Sequence, residues 1–342
     1  MLLPMERGPL STGVIDAVGG RDRLDADALV HRIRALPEDV DVVTDDDLHL
    51  ALWVMYELHY RGFDDAVGDW EWDPDLLRVR REVESVFEDA LRRRTSETVA
   101  ATVGVDGDVA ERLFALTESF DGPSVARFVQ REASLEQLTE FMVHRSVYHL
   151  KESDPTSWVI PRVTGKPKAA LVELLYDEYG AGRPHRVHST MFADALEACG
   201  LDDEYGAYLD QVPGYTLASN NAMSLLGLHR RLRAAALGHL GAFEATSSLP
   251  CRRFAGGIRR LGLPEKAAEY FDEHIEADAV HEQLALRDIC AALVTQDAGL
   301  LEDVFFGAVV CLSMEKVAAE RMLTAWQQGR TTLRAQGTEA VA

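Results

Sequence analysis

Apolar residues recur along this chain at spacings of three and four, as amphipathic helices require, and the strict alternation of a half-buried strand is almost absent. The spacing predicts a helix over 25–36. It predicts a second over 47–61, capped by Thr44 or Asp45. In that second segment Leu48, Leu50, Leu52, Val54, Met55 and Leu58 stand too densely for one stripe, so the helix should be buried on most sides. Trp70, Trp72 and Pro74 mark a break, and a long charged amphipathic segment follows over 75–94. Gly122-Pro123 is the strongest boundary in the first half. Beyond it the pattern gives helices from Ser134 to about Asp154, then over 168–179, 184–199, 220–238 and 240–247, two within 264–294, and one over 298–328.

These elements make the fold class all-α, a bundle of about seven to ten helices. Residues 1–20 read as a flexible N-terminus and 331–342 as a flexible tail. Residues 21–120 read as a helical extension packed on a main bundle over 121–330. No internal repeat or low-complexity tract interrupts the chain.

Composition narrows the function. With 47% hydrophobic residues, the 342-residue chain can bury a large core. Its formal net charge of −22 disfavours nucleic acid and anionic membrane surfaces, both of which would repel it. The best apolar run, Val304 to Leu312, is far too short to span a bilayer and contains Gly307. Residues 1–20 lack the basic start and apolar run of a secretory signal, so a cytoplasmic location is expected. Cys199, Cys251, Cys290 and Cys311 are isolated and read as small buried hydrophobes.

Chemistry is most concentrated in Tyr270-Phe-Asp-Glu-His-Ile-Glu-Ala-Asp-Ala-Val-His-Glu. His274, Asp278 and His281 stand at i, i+4 and i+7, on one face of a helix. Two imidazoles and a carboxylate so arranged suit a divalent first-row metal. A solvated face that happens to hold histidines is the alternative. A second cluster, Glu178, His185 and His188, stands at i, i+7 and i+10. The intervening Gly180-Ala-Gly-Arg-Pro184 should kink or break a helix, and Pro184 starting a fresh helix would leave His185 exposed. Glu152, near a helix end, is by itself uninformative. Glu244 is a lone acid in a nearly uncharged stretch, where it wants a partner or a metal. Arg183, Arg186, Arg230, Arg231 and Arg233 are candidates to hold an anionic substrate group, or are solvated helix faces.

Four segments in order resemble the haem-oxygenase-like diiron oxidase and oxygenase family, often called iron-containing redox enzymes. They are Lys151-Glu152-Ser-Asp-Pro, Asp177-Glu-Tyr-Gly with His185-Arg-Val-His188, Ala242-Phe-Glu-Ala-Thr-Ser, and His274-xxx-Asp278-xx-His281. The resemblance covers roughly residues 120–330. It implies a helical bundle holding two Fe(II) ions between its core helices. It also implies ligands at Glu152, Glu178, His188, His274, Asp278 and His281, with Glu244 from an intervening helix. His185 stands where many members carry a carboxylate, and a neutral ligand there weakens one iron position. The activity implied is an O2-dependent oxidase or oxygenase on a small organic substrate, such as an amino acid, a fatty acid or a related metabolite. An electron donor and a homodimer are compatible partners. The competing readings are a haem-binding protein on the same bundle and a non-enzymatic helical interaction protein.

Overall fold

The structure, a computed structural model, describes residues 1–37 and 40–335, the side chains of 276–279 excepted. Its helices run in the order α1 (Pro9–Val18), α2 (Ala26–Arg34), α3 (Asp46–Glu57), α4 (Pro74–Val103), α5 (Val109–Ser119), α6 (Val125–Arg131), α7 (Leu135–His149) and α8 (Asp154–Ser157). There follow α9 (Gly165–Glu178), α10 (His188–Ala198), α11 (Gly214–Leu228), α12 (Arg233–Arg260), α13 (Lys266–Gln283), α14 (Ala292–Gln296) and α15 (Leu301–Gln327). No strand occurs among the described residues. The class is all-α as expected, with more segments than seven to ten because short helices such as α6, α8 and α14 punctuate the connections.

Local chemistry sets where many helices begin. Asp25, Asp45, Asp73, Asp108, Ser124 and Ser134 each accept a hydrogen bond from a backbone N–H of the first turn. Gln137 returns the favour at α7 by accepting from the N–H of Ser134. Helix α3 is buried from Leu48 to Glu57, as its dense apolar content requires.

Two apolar cores result. The larger draws on α1, α3, α4, α11, α12 and α15. The smaller packs Phe141 of α7, Phe192 of α10, Phe254 of α12 and Tyr270 and Phe271 of α13. Helices α12 and α15 cross so closely that a methyl on Gly307 would fall 1.8 Å from the carbonyl oxygen of Ala235.

Several expected boundaries move. Residues 9–18 form the helix α1. Leu10, Val14, Ile15 and Val18 form a buried stripe, and the Asp47 carboxylate accepts from the N–H groups of Leu10 and Ser11 at 2.9 and 2.7 Å. Of the expected tail, residue Thr332 is buried and bonded to Glu140 and His144, while 336–342 lie outside the described residues. The break expected near residue 239 falls instead at 229–232, and α12 then runs through Pro250. The lost N–H of that proline is accommodated beside Thr246 and Ser247, whose hydroxyls bond back to the carbonyls of Ala242 and Phe243. The two helices expected in 264–294 are one rod, in which a π-helical stretch, Leu284–Ala291, joins α13 to α14. No helix among the described residues is long and apolar enough to cross a membrane.

Candidate metal centre

Where the two cores meet, five elements send buried polar side chains to one place. Glu152 lies in the turn after α7, Glu178 is the last residue of α9, and His188 is the first of α10. Glu244 comes from the middle of α12, and His274 and His281 from α13. All six are buried.

They fall into two groups. Glu152, Glu178, His188 and His274 bring one donor atom each within 4.8 Å of one another, and Glu178, Glu244 and His281 do the same. Glu178 belongs to both. Its Oε2 lies 3.0 Å from His188 Nδ1, and its Oε1 lies 3.5 Å from His281 Nδ1. His281 Nδ1 is equally 3.5 Å from Glu244 Oε2.

Four of the six donors are aimed by a neighbour. The Tyr270 hydroxyl lies 2.9 and 2.8 Å from the two oxygens of Glu152 and donates to that carboxylate. Ser153 adopts a left-handed backbone (φ 70°), and its hydroxyl donates to Glu178 Oε2 at 3.1 Å. A non-glycine residue in that region is strained, and the strain sits between two candidate ligands. His274 donates its Nδ1–H to the carbonyl of Tyr270 at 2.8 Å, which leaves Nε2 bare toward Glu152. His281 directs Nε2 at Asp177 Oδ2, 3.4 Å away, and Nδ1 into the cluster.

The electrostatics follow from that crowding. Burial, and then the neighbouring His188, push the His274 pKa down to about 4, so its ring is neutral. Burial opposes charge on Glu178, but His188, His274 and His281 outweigh it and hold the carboxyl at about 2. Burial likewise opposes charge on His281, but Glu244, Glu178 and Asp177 raise its pKa to about 9. Glu244 is raised by burial.

A divalent ion fits this donor set. His188 Nδ1 and His281 Nδ1 are buried and aimed at the clustered carboxylates of Glu178 and Glu244. Buried carboxylates gathered with such nitrogens match the hard-and-borderline donors that first-row metals take.

These observations meet two comparisons with known proteins. The model of a family described as "iron-containing redox enzyme" matches residues 139–316, half of the chain. The chain belongs to that family. It is also similar to nitrosourea synthase from Streptomyces achromogenes subsp. streptozoticus, 29% identical over 145 residues. That match takes in 42% of this chain and 31% of the synthase, so the chain spans about a third of its relative's length. An iron-containing redox family and an all-α bundle are therefore common to sequence expectation and comparison.

Two groups of candidates are displaced. His185 is exposed on the 3-10 turn Pro184–Arg186 and joins neither group. The reason is the break itself: Pro184 and the glycines before it end α9 at Glu178, so no common helix carries His185 inward. Arg183, Arg186, Arg230, Arg231 and Arg233 line neither internal cavity. Arg186 pairs with Glu273, and Arg231 with Glu88. Asp278 lies among the side chains outside the described residues. Sequence reasoning did not single out Tyr270, Ser153 or Asp177. Tyr270 stands one turn before His274 on the same helix, and the other two adjoin Glu152 and Glu178, so proximity to candidate ligands was the available signal.

Proposed function

We propose that this chain is a non-haem diiron enzyme that uses O2 to oxidise or oxygenate a small organic substrate. The reading is carried by one observation: Glu178 is shared between two buried groups of donors, one completed by Glu152, His188 and His274 and the other by Glu244 and His281. Membership of an iron-containing redox family names the metal.

Iron bound there would supply the electrons and open coordination positions that O2 activation needs. The remaining work belongs to the protein. Tyr270 orients Glu152, Ser153 orients Glu178, and Asp177 fixes the His281 ring, so the donors are organised before metal arrives. A cavity of about 80 Å³ lies against Glu152 and His274, walled by Phe141, Phe243, Phe254 and Phe271. That volume admits the reacting end of a small molecule, and the aromatic wall excludes bulk water from it. The buried, charged Glu178 and neutral His274 remain in their ligating states at neutral pH without solvent.

The test is anaerobic reconstitution with Fe(II), metal analysis, and exposure to O2. We expect two irons per chain and an O2-dependent optical change. His281→Ala, with helicity intact by circular dichroism, should retain one iron and lose O2 consumption over a panel of amino and fatty acids. One iron or none in the unmodified protein, or no O2-dependent change with or without those substrates, would refute the proposal.

A further inference from the structure

The small cavity opens toward a larger one of about 310 Å³, and the two share the walls formed by Phe141, Phe243, Phe254, Thr246 and Pro250. At the low end of ligand-cavity sizes, this larger space suits a single small molecule. Two further shared residues are charged. Arg145 donates from both terminal nitrogens to the two oxygens of Glu315, at 3.0 and 2.8 Å. The pair stands at the neck, since it lines both cavities.

The accessibility of this pair is unusual. The Glu315 side chain is 41% accessible and that of Arg145 27%, and both line the two cavities. Their accessible surface therefore faces the cavities. Burial works against an ionised Glu315, but Arg145 outweighs it and keeps the carboxyl below its ordinary range, so both partners stay charged. Desolvating a charged pair is costly, and replacing buried pairs by apolar residues often stabilises a fold. Keeping one exposed to an internal space calls for a role in binding. Two more polar residues line the larger cavity: Asn220, and His239, which burial holds neutral with a pKa of about 4.

The kind of ligand follows from the pair. A lone carboxylate drawn to Arg145 must compete with Glu315 and leaves that acid unpaired. A lone amine faces the mirror problem. A zwitterion satisfies both at once, its carboxylate on Arg145 and its ammonium on Glu315. Beyond the neck the larger cavity offers Phe120, Met223, Met314 and Met322, which suit an apolar side chain. Lys316 lines the larger cavity but not the smaller, so it cannot hold a carboxylate at the neck.

We propose that Arg145 and Glu315 together anchor an α-amino acid with an apolar side chain, its charged head at the neck beside the metal centre and its side chain in the larger cavity. That this ligand is the substrate rests on the diiron reading; that it binds does not.

The test is calorimetric titration of the full-length protein with L-phenylalanine, 3-phenylpropionate and 2-phenylethylamine, and with L-norleucine, hexanoate and pentylamine. Each trio holds the side chain fixed and removes one charge at a time. At least one of the two amino acids should bind at least about tenfold more tightly than both of its singly charged analogues. The double variant Arg145→Met with Glu315→Leu removes the pair without orphaning either charge. It should bring all three ligands of that trio within about threefold of one another. Equal binding within both trios, binding by neither amino acid, or a preference that survives in a folded double variant would overturn the assignment. Should the double variant not fold, the two trios on the unmodified protein decide the matter. Iron content measured on the same samples reports separately on the metal centre, and its loss would leave the amino-acid result standing.

Discussion

A tyrosine hydroxyl governs how Glu152 presents itself. With Tyr270 donating to the Glu152 carboxylate, the acid is held in one orientation beside His274, whose own ring is fixed by the carbonyl of Tyr270. One residue thus orients two candidate ligands. Tyr270→Phe keeps the ring and its packing against Phe192 and His149 but removes the donor. Neighbours that aim metal ligands are typically worth about 10- to 100-fold in metal affinity. We expect a loss of that size in Fe(II) affinity, read by competition with a chelator, with little change in thermal stability. Unchanged affinity would mean that Glu152 is held by other means. At this scale the sequence was most informative where ligands sit on one helix: His274 and His281 follow directly from a seven-residue spacing on α13. It was least informative about the groups that aim them, since a tyrosine one turn away looks like any core aromatic.

Between α9 and α10 the chain makes the turn that brings Glu178 and His188 together. An interruption between these two was expected from the intervening glycines and Pro184, and each stands at the terminus of a different helix. What joins them is a tight reversal in which Gly180 has φ +72° and Ala181 φ +51°. A Cβ on Gly180 would lie 2.6 Å from the backbone of Arg186 and Val187, where the chain folds back on itself. Gly180→Ala therefore incurs a left-handed penalty of roughly 1–2 kcal/mol and a backbone clash besides. We expect it to lower iron content by displacing His188, with helicity by circular dichroism nearly unchanged because α9 and α10 are otherwise packed. Full iron content would show that the turn does not set the site. The glycine and proline signals in this stretch were legible as a break, and the reading in which Pro184 starts a fresh element already left His185 exposed; the direction of the reversal, which turns His188 inward, depends on tertiary packing. The single rod over 266–296 was illegible for a similar reason. A π-helical stretch preserves the chain direction while shifting its face, and such stretches occur often at functional sites.

Across the whole molecule, the first hundred residues bear on the centre from outside it. Lys151, adjacent to Glu152, is buried with its Nζ 3.0 Å from Glu57 Oε2 of α3, and Tyr205 donates to the same oxygen at 2.7 Å. We propose that residues 21–120 serve as a buttress, holding through this pair the turn that carries Glu152. The same region contributes to acid sensitivity. His49 on α3 donates Nε2–H to the carbonyl of Val42 and accepts from Asn221, while His144 on α7 is bonded to Thr216 and Thr332. Burial, the largest influence on both, pushes each pKa down to about 3 from an ordinary 6.5. The folded protein thus holds them neutral while the unfolded chain takes up protons below about pH 6.5. Their contribution is fully present above that pH and is lost as pH falls toward 3, by about 2 kcal/mol for each at pH 5. Urea midpoints should drop between pH 7 and pH 5, and His49→Gln should make the drop smaller. A midpoint that does not move would contradict the neutral, buried assignment.

The proposed diiron site turns on Glu178, the carboxylate shared between the two donor groups. Diffraction at the iron absorption edge, from crystals loaded anaerobically with Fe(II), locates the metals without reference to activity. The account requires two anomalous peaks flanking the Glu178 carboxylate, one reached by Glu152, His188 and His274 and the other by Glu244 and His281. A single peak, or iron bound away from Glu178, would contradict it.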